Sequence, residues 1–260
     1  MSDYKNYDAA IEAAIDQVNN IGERFHERIR RDEYIYVALP FLMFRRFDEV
    51  IGPEMGELVD YARLHDDLEL KDLDERIRAM APFETYNASG LNLEKLAGES
   101  SKQDVRFRDY LNGFSVNVRR LLASLRFHSI FPSLVRFVLL GDVCRAFADP
   151  ELKIDAATLP APAYEELLKR LVAEASAASP NGDCGIDVDV INRMVRATGE
   201  IRRITPGSTA SLDAFEASNM RRTDPELLQQ KLEEQKKAAQ EAESTSEDTE
   251  GTKEIPETEE

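Results

Sequence analysis

Between Tyr34 and Ile51 the chain reads YIYVALPFLMFRRFDEVI, apolar on nearly every side of a helical wheel until Arg45, Arg46, Asp48 and Glu49 near its end. A helix that is hydrophobic all round has to be enclosed by other elements, so the rest of the fold must be built around this one. Pro40 in its middle lacks a backbone donor and crowds the preceding turn, so the helix either kinks or begins there. Nothing resembles a bilayer span. The longest apolar stretch, Phe137 to Phe147, is interrupted by Asp142 and Arg145 and falls far short of about 20 residues.

The surroundings are helical as well. Ile11, Ile15, Val18, Ile21, Phe25 and Ile29 recur every three or four positions and mark one face of a long amphipathic helix. Glu75 to Leu96 reads as a helix ending before Pro82, an irregular polar loop and a short helix. A further helix stops at Asn112-Gly113, and Ser115 is placed to cap the next. Leu134 to Phe147 continues in helical register, and Asp149 to Pro162 has the composition of a linker. Ala163 to Ser179 forms another helix and Val188 to Ala197 a short one. Thr223 to Glu243 carries a cap and Pro225 but few apolar anchors, which fits a solvated or partner-dependent helix. No stretch alternates as a strand does, and there is no internal repeat. The expected fold is all-α: an irregular multi-helix domain followed by a disordered acidic tail.

That tail changes how the net charge of −17 is to be understood. The last twenty residues hold nine acids against one lysine, so they supply −8 and leave −9 for the rest. A segment so charged and so poor in apolar groups cannot bury enough surface to offset its ordering entropy. The remaining acidity opposes tight, unaided binding to DNA. RFHERIRR (24–31) and VRRLLASLRFH (118–128) are phosphate-contacting faces or ordinary solvated helix, and the sequence leaves both open. Cys144 and Cys184 form no disulfide framework and have no metal-ligand spacing, which fits a reduced cytoplasm. His26, His65 and His128 are scattered, whereas a metal centre needs clustered ligands. A turn with an incidental thiol is the favoured account of Cys184.

Four segments carry a resemblance. Leu39, Pro40, Phe41, Arg45, Arg46, Phe47 and Asp48 come first, and Tyr86, Asn87, Ala88 and Ser89 second. Tyr110 to Ser115 with Asn117, Val118 and Arg119 come third, and the helix Tyr164 to Ala177 fourth. In this order and at these distances they are similar to the N-terminal helical domain of the modification (methylation) subunit of type I restriction-modification systems. The family pattern has Leu-Pro-Phe, Arg-Arg-Leu-Asp, a Tyr-Asn-Thr/Ala-Ser loop and Tyr-Ile-Asn-Gly-Phe-Ser-Pro-Asn-Val-Arg, and Val116 stands where its Pro is usual. The resemblance implies a domain, 1–150, that contacts specificity and modification subunits and double-stranded DNA within a complex. Residues 151–203 become a linker and the remnant of a connection, and 204–260 the low-complexity tail.

The chain departs from the family after Ser179. NGDCGIDVDVINRMV stands where Gly-x-His-Phe-Thr-Pro-Arg is expected, and neither a Pro-Pro nor a Gly-x-Gly pair occurs. The family's S-adenosylmethionine needs a glycine-rich strand-to-helix turn for close backbone approach, and its flipped adenine needs the Asn-Pro-Pro motif. No catalytic, cofactor-binding or metal-binding residue is therefore assigned. The candidates for partner or DNA contact are Arg45, Arg46, Asn87, Ser89, Asn112, Asn117, Arg119 and Arg120, with a buried pair to Asp48 as the alternative for Arg45 and Arg46. The expected role is an interaction module of a cytoplasmic restriction-modification complex. The alternatives are one half of a split adenine methyltransferase completed in trans, and an acidic modulator of such a complex.

Overall fold

Eleven α-helices occur among the described residues of the computed structural model, which are 6–65, 67–81, 83–98 and 102–198. They are α1 (Asp8–Glu23), α2 (Arg31–Val50), α3 (Gly56–Leu64), α4 (Leu70–Met80), α5 (Leu93–Gly98) and α6 (Gln103–Gly113). After these come α7 (Val116–Ser124), α8 (Phe127–Arg136), α9 (Leu140–Ala148), α10 (Ala161–Ala178) and α11 (Val188–Thr198). An isolated β-bridge pairs Asn87 with Phe114. The all-α class is as expected. The chain divides into two units, 1–205 and 206–260, and the described residues all belong to the first. The tail and the helix expected over Thr223 to Glu243 lie outside the described residues.

Helix α2 is the axle. It packs against α1, α5, α8, α9, α10 and α11, and everything from Val37 to Phe44 along it is buried. Pro40 neither starts nor ends this helix but sits inside it. A proline there removes a hydrogen bond and costs roughly 3 kcal/mol. The packing around it outweighs that loss. Phe41 lies 5.4 Å from Phe147, 5.7 Å from Phe107 and 6.1 Å from Phe127, ring centre to ring centre. Phe44 meets Phe114 at 5.6 Å and Tyr110 at 5.4 Å. Each such pair is worth about 0.5–1.5 kcal/mol beyond its buried area, and the lattice joins α2 to α6, α8 and α9.

Three expectations are corrected. The apolar face from Ile11 to Ile29 does not run along one helix: α1 ends at Glu23, and Phe25 and Ile29 are buried from the turns that follow. The Tyr34 ring lies so close to Gly22 that a Cβ there would sit 2.7 Å from it, so the chain has to reverse between the two helices. Second, Leu134 to Phe147 is two helices. Leu139 N–H bonds Leu134 O and Val138 N–H bonds Val135 O, with Val138 left-handed at φ 57°. This is the Schellman stop, which usually uses glycine; with valine there, no sequence signal announces it. Third, the expected linker is folded in, since Leu152, Ile154 and Leu159 are buried and α10 then packs on α1 and α2.

Candidate functional site

Residues from the second and third segments of the resemblance meet in one knot. Ala88 N–H donates to Gly113 O at 2.8 Å and Ser115 N–H to Tyr86 O at 3.1 Å, which ties the 83–92 loop to the end of α6. Asn87, 4% exposed, donates from Nδ2 to Tyr110 O at 3.1 Å and accepts Ser89 N–H at 2.9 Å. Ser89 Oγ accepts Leu91 N–H. Glycine at 113 is required by this approach: a Cβ would lie 2.6 Å from Ser89 Cβ, 2.7 Å from Ser89 N, and closer still to Asn87 Oδ1. Asn87 and Ser89 are therefore structural ties, because their polar groups point into the loop they brace.

Asp74 completes the knot and was not singled out in the sequence, where KDLDERIR resembles a solvated face. Its carboxylate accepts the Tyr86 hydroxyl, Val116 N–H at 3.2 Å and Arg78 at 3.3 Å. Asp74 thereby does the capping expected of Ser115, which occupies the N-cap position but turns its hydroxyl to Asn117 Oδ1. Burial, with Asp74 beside it, pushes the Tyr86 hydroxyl pKa well up.

The polar end of α2 is a second set of inward ties. Arg45, half-buried, donates to Ala148 O at 3.1 Å, the last carbonyl of α9. Arg46, 3% exposed, reaches Ile154 O at 3.4 Å and lies 5.1 Å over the Tyr164 ring. Asp48 accepts Leu93 N–H at 2.7 Å and the Tyr110 hydroxyl at 2.8 Å, and Glu49 accepts Ala156 N–H at 2.8 Å. As outward contacts Arg45 and Arg46 are thus corrected: both guanidinium groups serve carbonyls of their own chain, Arg45 at the negative end of a helix. Burial pushes the Asp48 carboxyl up to about 7, partly offset by Leu93 N–H, the Tyr110 hydroxyl, Arg45 and Lys95. The Tyr110 hydroxyl is pushed up by burial and by Asp48.

The outward candidates lie elsewhere. Asn112, Asn117 and Arg120 are exposed and Arg119 is half-exposed, on α6 and α7. From Lys102 to Ala148 eight Lys or Arg stand against three Asp, a local +5 that leaves −22 for the remainder of the chain. Arg106, Arg108, Arg120, Arg126 and Arg136 within it are all exposed. Helix α11 packs on α7 and adds Arg193, which donates to Ser124 Oγ at 3.3 Å, and Arg196. Sequence reasoning passed over these two, although their spacing of three in NRMVRA puts them on one helical face. Each also holds an acid: Arg193 with Asp189 at 3.0 Å and Arg196 with Glu84 at 3.5 Å.

Other chemistry has little support. Among the described residues no group of three His, Cys, Asp or Glu is placed to hold a metal ion. No helix there is long and apolar enough to cross a membrane. Cys144 and Cys184 are both free and buried, and burial pushes the Cys144 thiol pKa well up, away from nucleophilic chemistry. The strand feeding a glycine-rich turn that binds the cofactor in doubly-wound folds does not occur among the described residues. In comparisons with protein-family models, with curated proteins and with solved structures, the chain matches none of them.

Proposed function

We propose that this chain is a non-catalytic interaction module of a DNA-modification assembly, the counterpart of the N-terminal helical domain of a type I modification subunit. One observation carries the reading. Asp48, Tyr86, Asn87, Tyr110, Gly113 and Ser115, from three separate segments, join through buried hydrogen bonds. The residues of the resemblance are therefore those that hold one three-dimensional arrangement, as expected for likeness of a whole domain. A chance match of short fragments has no reason to converge. Contact with specificity and modification subunits and with duplex DNA is assigned to the exposed face of α7 and α11, through Asn117, Arg120, Arg193 and Arg196. The guanidinium groups there suit phosphates where Arg193 and Arg196 exchange Asp189 and Glu84 for them, while the acidity of the whole chain makes the contact dependent on the assembly.

The test is assembly. The chain is mixed with a type I specificity subunit, a modification subunit and duplex DNA, and followed by size exclusion at increasing salt. A stable complex that Arg120→Glu and Arg193→Glu weaken, with a salt dependence shallower by about one per lost phosphate contact, supports the reading. A chain that stays apart from the subunits and the DNA overturns it. Methylation appearing only when a separately encoded catalytic half is added would select the split enzyme.

A further inference from the structure

The turn between α8 and α9 carries two apolar side chains into solvent. Phe137 is 40% exposed and Val138 82%. Val138 is also left-handed at φ 57°, a conformation that is costly for a β-branched residue and free of strain for glycine. Burial does not offset that cost, because most of the side chain touches nothing. The turn is nonetheless fixed. Leu134 and Leu139 are buried on either side of it, and Phe137 N–H bonds Ser133 O at 2.9 Å. Two apolar side chains thus stand on a tip that needs little further ordering to make a contact.

Two arginines bracket this tip. Arg28, from the turn after α1, donates from Nη1 to Phe137 O at 3.2 Å, and the Arg136 guanidinium lies 5.7 Å over the Phe137 ring. Both are exposed, and among the described residues neither is paired with a carboxylate. Each therefore keeps most of its N–H donors for a partner. The acids nearest them along the chain are Glu27 and Asp142, and Asp142 is engaged by Arg145. From Tyr110 to Gly141 there are four Arg and no Asp or Glu, a local +4 that leaves −21 for the rest of the chain.

We infer that this tip is a wedge for the minor groove of A·T-rich duplex DNA. Phe137 and Val138 enter at a base step, and Arg28 and Arg136 take the phosphates beside it. Minor-groove proteins combine the same two elements, apolar side chains that part a base step and basic groups that hold the strands around it. A narrow A·T-rich groove draws guanidinium groups, and TA steps unstack most readily. A flat anionic membrane suits the tip less well. It would bring far more of a chain of charge −17 against like charge than a groove gripped at one turn. The wedge is separate from the α7–α11 face and does not depend on that assignment.

The full chain is titrated into a short, dye-labelled A·T-rich duplex with 2-aminopurine at a central TA step. Salt is held at about 0.1 M, where a Debye length of about 10 Å screens the distant acids. Anisotropy reads affinity, and 2-aminopurine emission reads unstacking. The expected result is saturable binding with a Kd of about 10–100 µM and emission that rises about twofold or more. Val138→Gly, which relieves the strain, and Phe137→Ser are each expected to lose most of that rise and to bind about threefold more weakly. Arg28→Gln and Arg136→Gln, at exposed positions, are each expected to bind about fivefold more weakly at an unchanged melting temperature. No saturable binding, binding without a rise in emission, or a rise kept in both Val138→Gly and Phe137→Ser would overturn the wedge. So would tighter binding to phosphatidylserine vesicles than to the duplex. Binding lost in Arg120→Glu and Arg193→Glu but unchanged in the four tip variants would leave the α7–α11 assignment standing and overturn the wedge alone.

Discussion

Asp48 offers the sharpest test of the interior. Its carboxyl is pushed from an ordinary 3.8 up to about 7, with burial as the main cause. Between those two values the folded protein holds a proton that the unfolded chain has released. The stability contributed by this residue therefore rises as pH falls through the folded pKa, by about 1.4 kcal/mol per pH unit. It levels off below about pH 4, where both states are protonated, and above about pH 7, where both are ionised. Across the window the change amounts to about 4 kcal/mol, opposite in sign to that of a carboxylate paired in the fold. Arg45, Lys95, the Tyr110 hydroxyl and Leu93 N–H already act to lower this pKa. Asp48→Asn is neutral at every pH and close in shape. It keeps an acceptor for Leu93 N–H, but its amide cannot accept the Tyr110 proton as well, a loss of about 1 kcal/mol. Urea unfolding followed by circular dichroism at about pH 5 and about pH 8 measures the outcome. The variant is expected to be about 1 kcal/mol less stable than the wild type at the lower pH and about 1–3 kcal/mol more stable at the higher. Equal differences at the two values, or a variant that loses more at pH 8, would refute the reasoning. The ionised carboxylate would then be a net stabiliser, held by its cations.

Three further substitutions probe the same framework. Arg46→Ala removes a buried guanidinium from Ile154 O and the Tyr164 ring and is expected to cost about 2–4 kcal/mol; Arg120→Ala, on the surface, is expected to stay within about 0.5 kcal/mol. Comparable melting temperatures for the two would remove Arg46 from the scaffold. Gly113→Ala is expected to lose about 2–3 kcal/mol or more, because its Cβ enters the space of Ser89 and Asn87, and exchange of the Ala88 and Ser115 amides would report the parting of the two segments. Val138→Gly relieves a left-handed β-branched residue that is 82% exposed. It is expected to raise stability by about 0.5–1 kcal/mol, and a lower melting temperature would mean that Val138 packs in solution.

How far the sequence could be read follows from the range of the forces involved. Periodicity and local punctuation placed the helices from Gln103 to Gly113, Ala161 to Ala178 and Val188 to Thr198 within a few residues, because those signals lie inside each element. The hydrogen-bond partners of Arg45, Arg46, Asp48 and Glu49 lie between 45 and 108 positions away along the chain. Most of them are backbone groups, which any residue supplies, so no pattern of side chains betrays them. Asp74 was hidden in the same way, its partners being a tyrosine hydroxyl and a backbone amide from separate segments. This also explains why α2 ends in charge. Apolar side chains in place of Arg45, Arg46, Asp48 and Glu49 would fill the volume, and in other proteins such exchanges have even been stabilising. What they would not supply is direction. Arg45 takes the end of α9, Arg46 and Glu49 take the 149–160 segment, and Asp48 takes both the start of α5 and the Tyr110 hydroxyl. Four side chains within a turn and a half of helix thus tell four distant pieces of chain where to lie. The aromatic lattice around Phe41 and Phe44, which is indifferent to direction, provides most of the burial.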